Sequence, residues 1–206
     1  MIPRVVVFDL GRVFLDFDYG IAARKIAAHA SVSPHEVMEA ILRSPEICEF
    51  ETGLISREQF FVAVRKLIGF TGTLDEFGSY FADVFTPIEP MIRLNATLRR
   101  QGMPTYVFSN TNELTVEFIR RSFAFFRDFD GYVFSYEYGA MKPDGKLYAV
   151  VERQTGRRGA EIFYLDDLPE NVAAGAARGW QVLLQESPEK TWAAFEQLGL
   201  VGKTKA

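Results

Sequence analysis

Five short apolar runs punctuate this chain, and the segments between them limit the kind of fold it can adopt. The runs are residues 5–8, 105–109, 132–134, 162–165 and 181–184. Valine, isoleucine and aromatic residues recur in them, as suits a pleated surface buried on both faces. Helical spacing occupies 90–101, 113–122, 146–154 and 170–178. Gly102 and Gly179 follow two of these segments and read as helix stops. Strand–helix alternation of this kind predicts an α/β fold, a Rossmann-like parallel sheet with helices on both faces.

The stretch from Tyr19 to Pro87 has a different character. No convincing strand stands out there. Helical spacing covers 21–30, 33–43, 56–68 and 73–85. Ser33 with Glu36, and Ser56 with Gln59, form capping pairs, and Pro34 occupies a first helical position. Residues 51–56 read as a turn between two helices. The chain therefore divides into a core, 1–17 and 88–206, and an inserted helical-bundle cap, 18–87. A module inserted after the first strand would lie over the carboxyl edge of the sheet.

A net charge of −4 over 206 residues speaks against a nucleic-acid binder, which would carry a basic face. The N-terminal apolar run is broken by Asp9 and Arg12, so it reads as neither a signal peptide nor a membrane span. Cys48 is the single cysteine, which excludes an intrachain disulfide framework. A cytoplasmic protein, monomeric or homodimeric, is the simplest expectation. The tail 202–206 is expected to fray.

Asp9 stands directly after the run Val5-Val6-Val7-Phe8. Ligands of open α/β sheets collect beyond the carboxyl ends of the strands, so this carboxylate occupies a position suited to chemistry. Three further stations follow in order: Ser109-Asn110-Thr111-Asn112, Met141-Lys142-Pro143, and Asp166-Asp167 with Asn171. Together the four resemble the haloacid dehalogenase superfamily with a helical cap of its first type. Asp-Leu-Gly, Ser-Asn-Thr-Asn and Lys-Pro are most similar to its bacterial α-D-glucose-1-phosphate phosphatase branch.

The resemblance implies a magnesium-dependent phosphatase of a small phosphorylated metabolite, such as a sugar 1-phosphate. Asp9 would be the nucleophile, giving an aspartyl-phosphate. Magnesium would sit on Asp9, the Gly11 carbonyl and Asp167, with Asp166 a further ligand or a group behind them. Ser109, Asn110 and Lys142 would bind the phosphate, and Lys142 would offset the charge of the nucleophile. The alternatives are a metal-independent 2-haloacid dehalogenase and a non-catalytic binding or regulatory relative. Asp166 and Asp167 favour the phosphatase over the dehalogenase, which has no need of an acidic pair.

One position departs from the usual pattern. Most phosphatases of the superfamily carry a second Asp two residues after the nucleophile, where this chain has Gly11. Asp16 or Asp18 could substitute as acid, the substrate could carry a good leaving group, or the chain could be weakly active. The branch it resembles also lacks this Asp, which favours the good leaving group. Arg12 replaces a usually small residue and either binds substrate or pairs with an acid such as Asp16.

Overall fold

The computed structural model describes residues 2–202. Of the tail 202–206 expected to fray, residues 203–206 lie outside the described residues. Strand β1 (Val5–Phe8) enters a tight loop and then the short strand β2 (Leu15–Phe17). Five helices follow: α1 (Tyr19–Ala27), α2 (Pro34–Leu42), α3 (Pro45–Thr52), α4 (Arg57–Ile68) and α5 (Leu74–Ala82). Strand β3 (Phe85–Pro87) returns the chain to α6 (Glu89–Arg100), β4 (Thr105–Ser109), α7 (Glu113–Ser122) and β5 (Gly131–Phe134). The single turn α8 (Ser135–Tyr138) precedes α9 (Gly145–Thr155), β6 (Ile162–Asp166), α10 (Pro169–Ala177), β7 (Gln181–Leu184) and α11 (Pro188–Gln197).

The main sheet has five strands in the order β5-β4-β1-β6-β7, all parallel. All five expected strands are present. Side chains of β1 alternate between its two faces, as a strand's period of two requires. Val6 and Phe8 join Leu94, Leu98, Val116, Ile119 and Phe195 on one side, and Val5 and Val7 join Leu147, Tyr148 and Val151 on the other. Strand β1 lies at the centre, and the connections leave it in opposite directions. Its carboxyl end is therefore a switch point of the topology.

The insert has its own apolar centre, in which Phe50, Phe60, Phe61, Phe70, Phe77 and Phe81 pack together. Leu114, from α7 of the sheet layer, is buried in this cluster and ties the insert to the core. The capping pairs at Ser33/Glu36 and Ser56/Gln59 both form, and Thr73/Glu76 adds another. Among the described residues no helix is long and apolar enough to cross a membrane.

The insert differs from expectation in two places. β3 lies within a stretch read as strand-free, pairing antiparallel with β2 through Leu15–Pro87 and Phe17–Phe85. Three residues ending in proline carry no readable period, and the partner strand is remote in sequence. Helix α3 was likewise not expected. It is short, and Ser44 makes no side-chain capping bond. Glu51 and Thr52 thus belong to a helix, and the turn begins at Gly53.

Gly53 adopts a left-handed conformation (φ 75°), and a Cβ there would meet the carbonyl oxygen of Tyr136. Only glycine allows this close approach. It seats the end of α3 against α8, beside the carboxyl edge of the sheet.

Candidate active site

The carboxyl ends of β1, β4 and β6 open into a cavity of about 270 Å³. Asp9, Gly11, Arg12, Ser109, Asn110, Lys142, Asp167 and Asn171 line it, so residues far apart in sequence meet there. Tyr19 and Glu51 contribute to the lining from the insert.

Asp9 extends from the end of β1, and its backbone N–H donates to the Leu165 carbonyl at 2.8 Å. Lys142 reaches it from the loop before α9, with Nζ 2.9 Å from Asp9 Oδ1. The same Nζ lies 2.6 Å from Asp166 Oδ2 and donates to the Phe108 carbonyl at 2.9 Å. An ammonium has three N–H donors, so all of them are engaged. Burial opposes the charge of Lys142, but Asp9 and Asp166 more than offset it and keep the amine protonated. Burial also raises the Asp9 carboxyl above its ordinary range, with Asp166 adding to the rise and Lys142 opposing it.

Asp166 is fully buried and turned away from the cavity. Its Oδ2 accepts from Lys142 and from the Tyr164 hydroxyl. Its Oδ1 accepts from the Leu168 N–H at 2.9 Å and Asn171 Nδ2 at 3.0 Å. Two carboxylate oxygens offer about four lone-pair sites, and four donors fill them. Burial works against ionisation here, yet Lys142 and Tyr164 prevail and hold Asp166 below the usual range. Asp167 faces the cavity instead. Burial and neighbouring Asp166 raise its carboxyl.

Asn110 clamps the Lys142 loop. Its Oδ1 accepts from the Lys142 N–H at 2.7 Å, and its Nδ2 donates to the Lys142 carbonyl at 3.0 Å. The side chain expected on phosphate is thus committed to holding a neighbouring loop. Ser109 makes only a 3.3 Å bond to the Asn110 carbonyl and stays available to a ligand. Asn112 caps α7 by accepting from the Thr115 N–H at 3.0 Å.

The loop after β1 accounts for the oddities at Gly11 and Arg12. A Cβ on Gly11 would stand 3.2 Å from the Phe17 ring. The Arg12 guanidinium lies over that ring, 4.2 Å from its centre, and pairs with Asp16. Arg12 has a left-handed backbone (φ 55°), unusual for a residue with a side chain. Neither Asp16 nor Asp18 lines the cavity. Asp18 caps α1 through the Gly20 N–H. The two acids suggested for the place of the missing Asp therefore have other work.

Oxygen ligands for a divalent cation are present. Carboxylate oxygens of Asp9, Asp166 and Asp167 lie within 4.8 Å of one another. Asn171 Oδ1 is buried without a hydrogen-bond partner.

The rim of the cavity was not anticipated. Phe17, Tyr19, Phe85 and Leu168 form it, over the buried Ile119. Tyr164, which supports Asp166, carried no sequence signal beyond its place in a strand. Phe17 and Phe85 reach the rim through the β2–β3 pairing, which the sequence did not reveal.

A parallel sheet with an acidic strand end, a buried lysine and a helical insert defines a class of hydrolase. The chain matches the haloacid dehalogenase-like hydrolase family over residues 4–179, and it belongs to that family. It is 29% identical over 179 residues to the sesquiterpene phosphatase astK of Aspergillus oryzae, covering 85% of this chain and 86% of that protein. A family enzyme of Bacteroides thetaiotaomicron, BT-2542, solved as a magnesium complex, superposes with TM-score 0.80 at 19% identity, covering 95% of this chain and 99% of that one. The same enzyme has been solved with magnesium and inorganic phosphate. A predicted hydrolase of this kind from Porphyromonas gingivalis also gives TM-score 0.80, at 21% identity and with 96% and 98% of the two chains covered.

Proposed function

We propose that this hydrolase is a magnesium-dependent phosphatase of small phosphorylated metabolites, acting through an aspartyl-phosphate on Asp9. The observation that carries the reading is the meeting of Asp9, Asp167 and Lys142 in one cavity at the carboxyl edge of the sheet.

The residues fit a hard divalent cation. Asp9, Asp167 and the Gly11 carbonyl would hold it, all through oxygen. Asn171 lines the same cavity, and its unpartnered Oδ1 would accept from a water of a hydrated cation. Bound magnesium offsets the negative charge of the phosphate and of the nucleophile. Asp166, with its lone pairs filled, serves instead to hold Lys142.

One oxygen of Asp9 attacks phosphorus. The bond from phosphorus to the alcohol oxygen breaks, and water later cleaves the acyl phosphate to restore the carboxylate. Lys142 keeps a positive charge against Asp9 throughout, Ser109 donates to a phosphate oxygen, and Asn110 keeps Lys142 in place. Residues 18–87 act as a cap domain that shields this chemistry from water, over a core of 1–17 and 88–206.

The cavity is slightly below the usual 300–1,000 Å³ of ligand sites, so it suits the phosphate and the near end of its alcohol. The motif resemblance points to a sugar 1-phosphate. The apolar rim and the similarity to a sesquiterpene phosphatase favour an apolar alcohol. Turnover of p-nitrophenyl phosphate with and without magnesium tests the reaction. A panel containing glucose 1-phosphate and geranyl phosphate ranks the alcohols. Chloride release from a haloacid without metal, or no turnover of any phosphate, contradicts the phosphatase.

A further inference from the structure

We propose that Glu51 of the insert is the acid that protonates the departing alcohol, in place of the carboxyl that Gly11 lacks. This rests on the phosphatase reading above.

The loop after β1 cannot readily supply that acid. Gly11 has no side chain, and the Phe17 ring crowds the space a Cβ would enter. Asp16 is paired with Arg12 and Asp18 caps α1. On the floor of the cavity, Asp9 and Asp167 are assigned to nucleophile and metal. Glu51 is the remaining carboxyl in the lining.

Its position suits the task. In-line displacement places the leaving oxygen opposite the attacking one. Asp9 attacks from the strand ends, so the leaving oxygen points toward the insert. Glu51 enters the same cavity from that side, on the last turn of α3. The fit of Gly53 against Tyr136 fixes this turn to the core.

Glu51 is also chemically available. Among the described residues no hydrogen bond or ion pair engages its carboxylate. Tyr19 and Arg12 share its part of the cavity. Cys48 lies one turn back on its own helix, and Tyr136 and Glu137 stand on the α8 turn packed against that helix. None of them pairs with it. Burial alone raises Glu51 from 4.5 to about 7, so a substantial share of the enzyme carries this proton at neutral pH. The proton passes from the Glu51 carboxyl to the alcohol oxygen as its bond to phosphorus breaks. Glu51 regains a proton from solvent through the cavity mouth. The water that cleaves the acyl phosphate leaves its own proton on the released phosphate.

The test compares the full-length enzyme, Glu51→Gln and Glu51→Asp with magnesium on a series from p-nitrophenyl phosphate to alkyl phosphates. Positioned proton transfer is typically worth about 10²–10⁴ in rate. Glu51→Gln should lose about that factor in kcat/KM on alkyl phosphates, and progressively less as the leaving group improves. Glu51→Asp should recover part of the loss. The wild-type rate on alkyl phosphates should fall above pH about 7, and Glu51→Gln should lack that limb. Equal losses across the series, or none, overturn the assignment while leaving the phosphatase intact. Absence of magnesium-dependent turnover of p-nitrophenyl phosphate by the wild type overturns both.

Discussion

The Phe17 ring stands 3.2 Å from the point a Cβ on Gly11 would occupy. Arg12 lies over that ring, and Tyr19 and Phe85 flank it at 5.1 and 6.2 Å between ring centres. The ring has little freedom to yield. The usual second acid of these enzymes is therefore disfavoured by packing as well as absent from the sequence. Gly11→Asp should cost about 1–3 kcal/mol in stability, the common penalty of overpacking, and should not speed alkyl phosphate hydrolysis. Combined with Phe17→Ala, which removes the crowding ring, the loss should be less than the sum of the two single-variant losses. Urea denaturation of the single and double variants checks this. Asp16→Asn, outside the cavity, should leave the dependence on leaving group unchanged.

Lys142 is the cation between two buried carboxylates, with side-chain exposures of 1% for Lys142, 11% for Asp9 and 0% for Asp166. Lys142→Met leaves both acids without their cation, and Asp166 keeps only its neutral donors Tyr164, Leu168 and Asn171. Removing one member of a buried pair typically costs about 3–5 kcal/mol, so the metal-free variant should melt roughly 10 °C lower. Asp166→Asn added to Lys142→Met should restore part of that loss. A calorimetric double-mutant cycle measures the coupling, and strict additivity would contradict it.

The Asn110 clamp predicts a different signature. Asn110→Ala frees both backbone groups of Lys142 and should cost about 1–3 kcal/mol. Turnover should fall mainly through kcat, because Lys142 loses its fixed position while the cavity stays open. A rise in KM alone would show Asn110 to be a simple substrate contact.

Glu51 gives the pH dependence of stability. Its folded pKa, about 7, lies above the ordinary 4.5, so the folded state binds this proton more tightly. The resulting stability is complete below pH about 4.5 and is lost as pH rises through about 7. Glu51→Gln has no charge to bury. It should melt roughly 5 °C above the wild type at pH 8, with the advantage gone near pH 4. Identical melting curves at both pH values would contradict the desolvation of Glu51.

The core of this fold was legible because its signals are local. Each strand of the main sheet is an apolar run, Asp9, Ser109 and Asp167 sit at strand ends or just beyond, and Lys142 stands just before a helix. What stayed hidden depends on distant pairing. β2 and β3 are three residues each and gain meaning only from each other. With them went the rim residues Phe17 and Phe85. Asp166 and Asp167 are adjacent in sequence with similar side chains. Only the donors around Asp166, from Lys142, Tyr164, Leu168 and Asn171, distinguish its task from that of its neighbour. Glu51 looked like part of a turn because its helix is short and weakly capped.

The most direct test of the central claim is mass spectrometry of the enzyme quenched in acid during turnover of a phosphate ester. The account predicts a phosphoryl group on the peptide containing Asp9, formed only with magnesium present and absent from Asp9→Asn. Steady hydrolysis with no phosphoryl group on that peptide, or undiminished hydrolysis by Asp9→Asn, would contradict it.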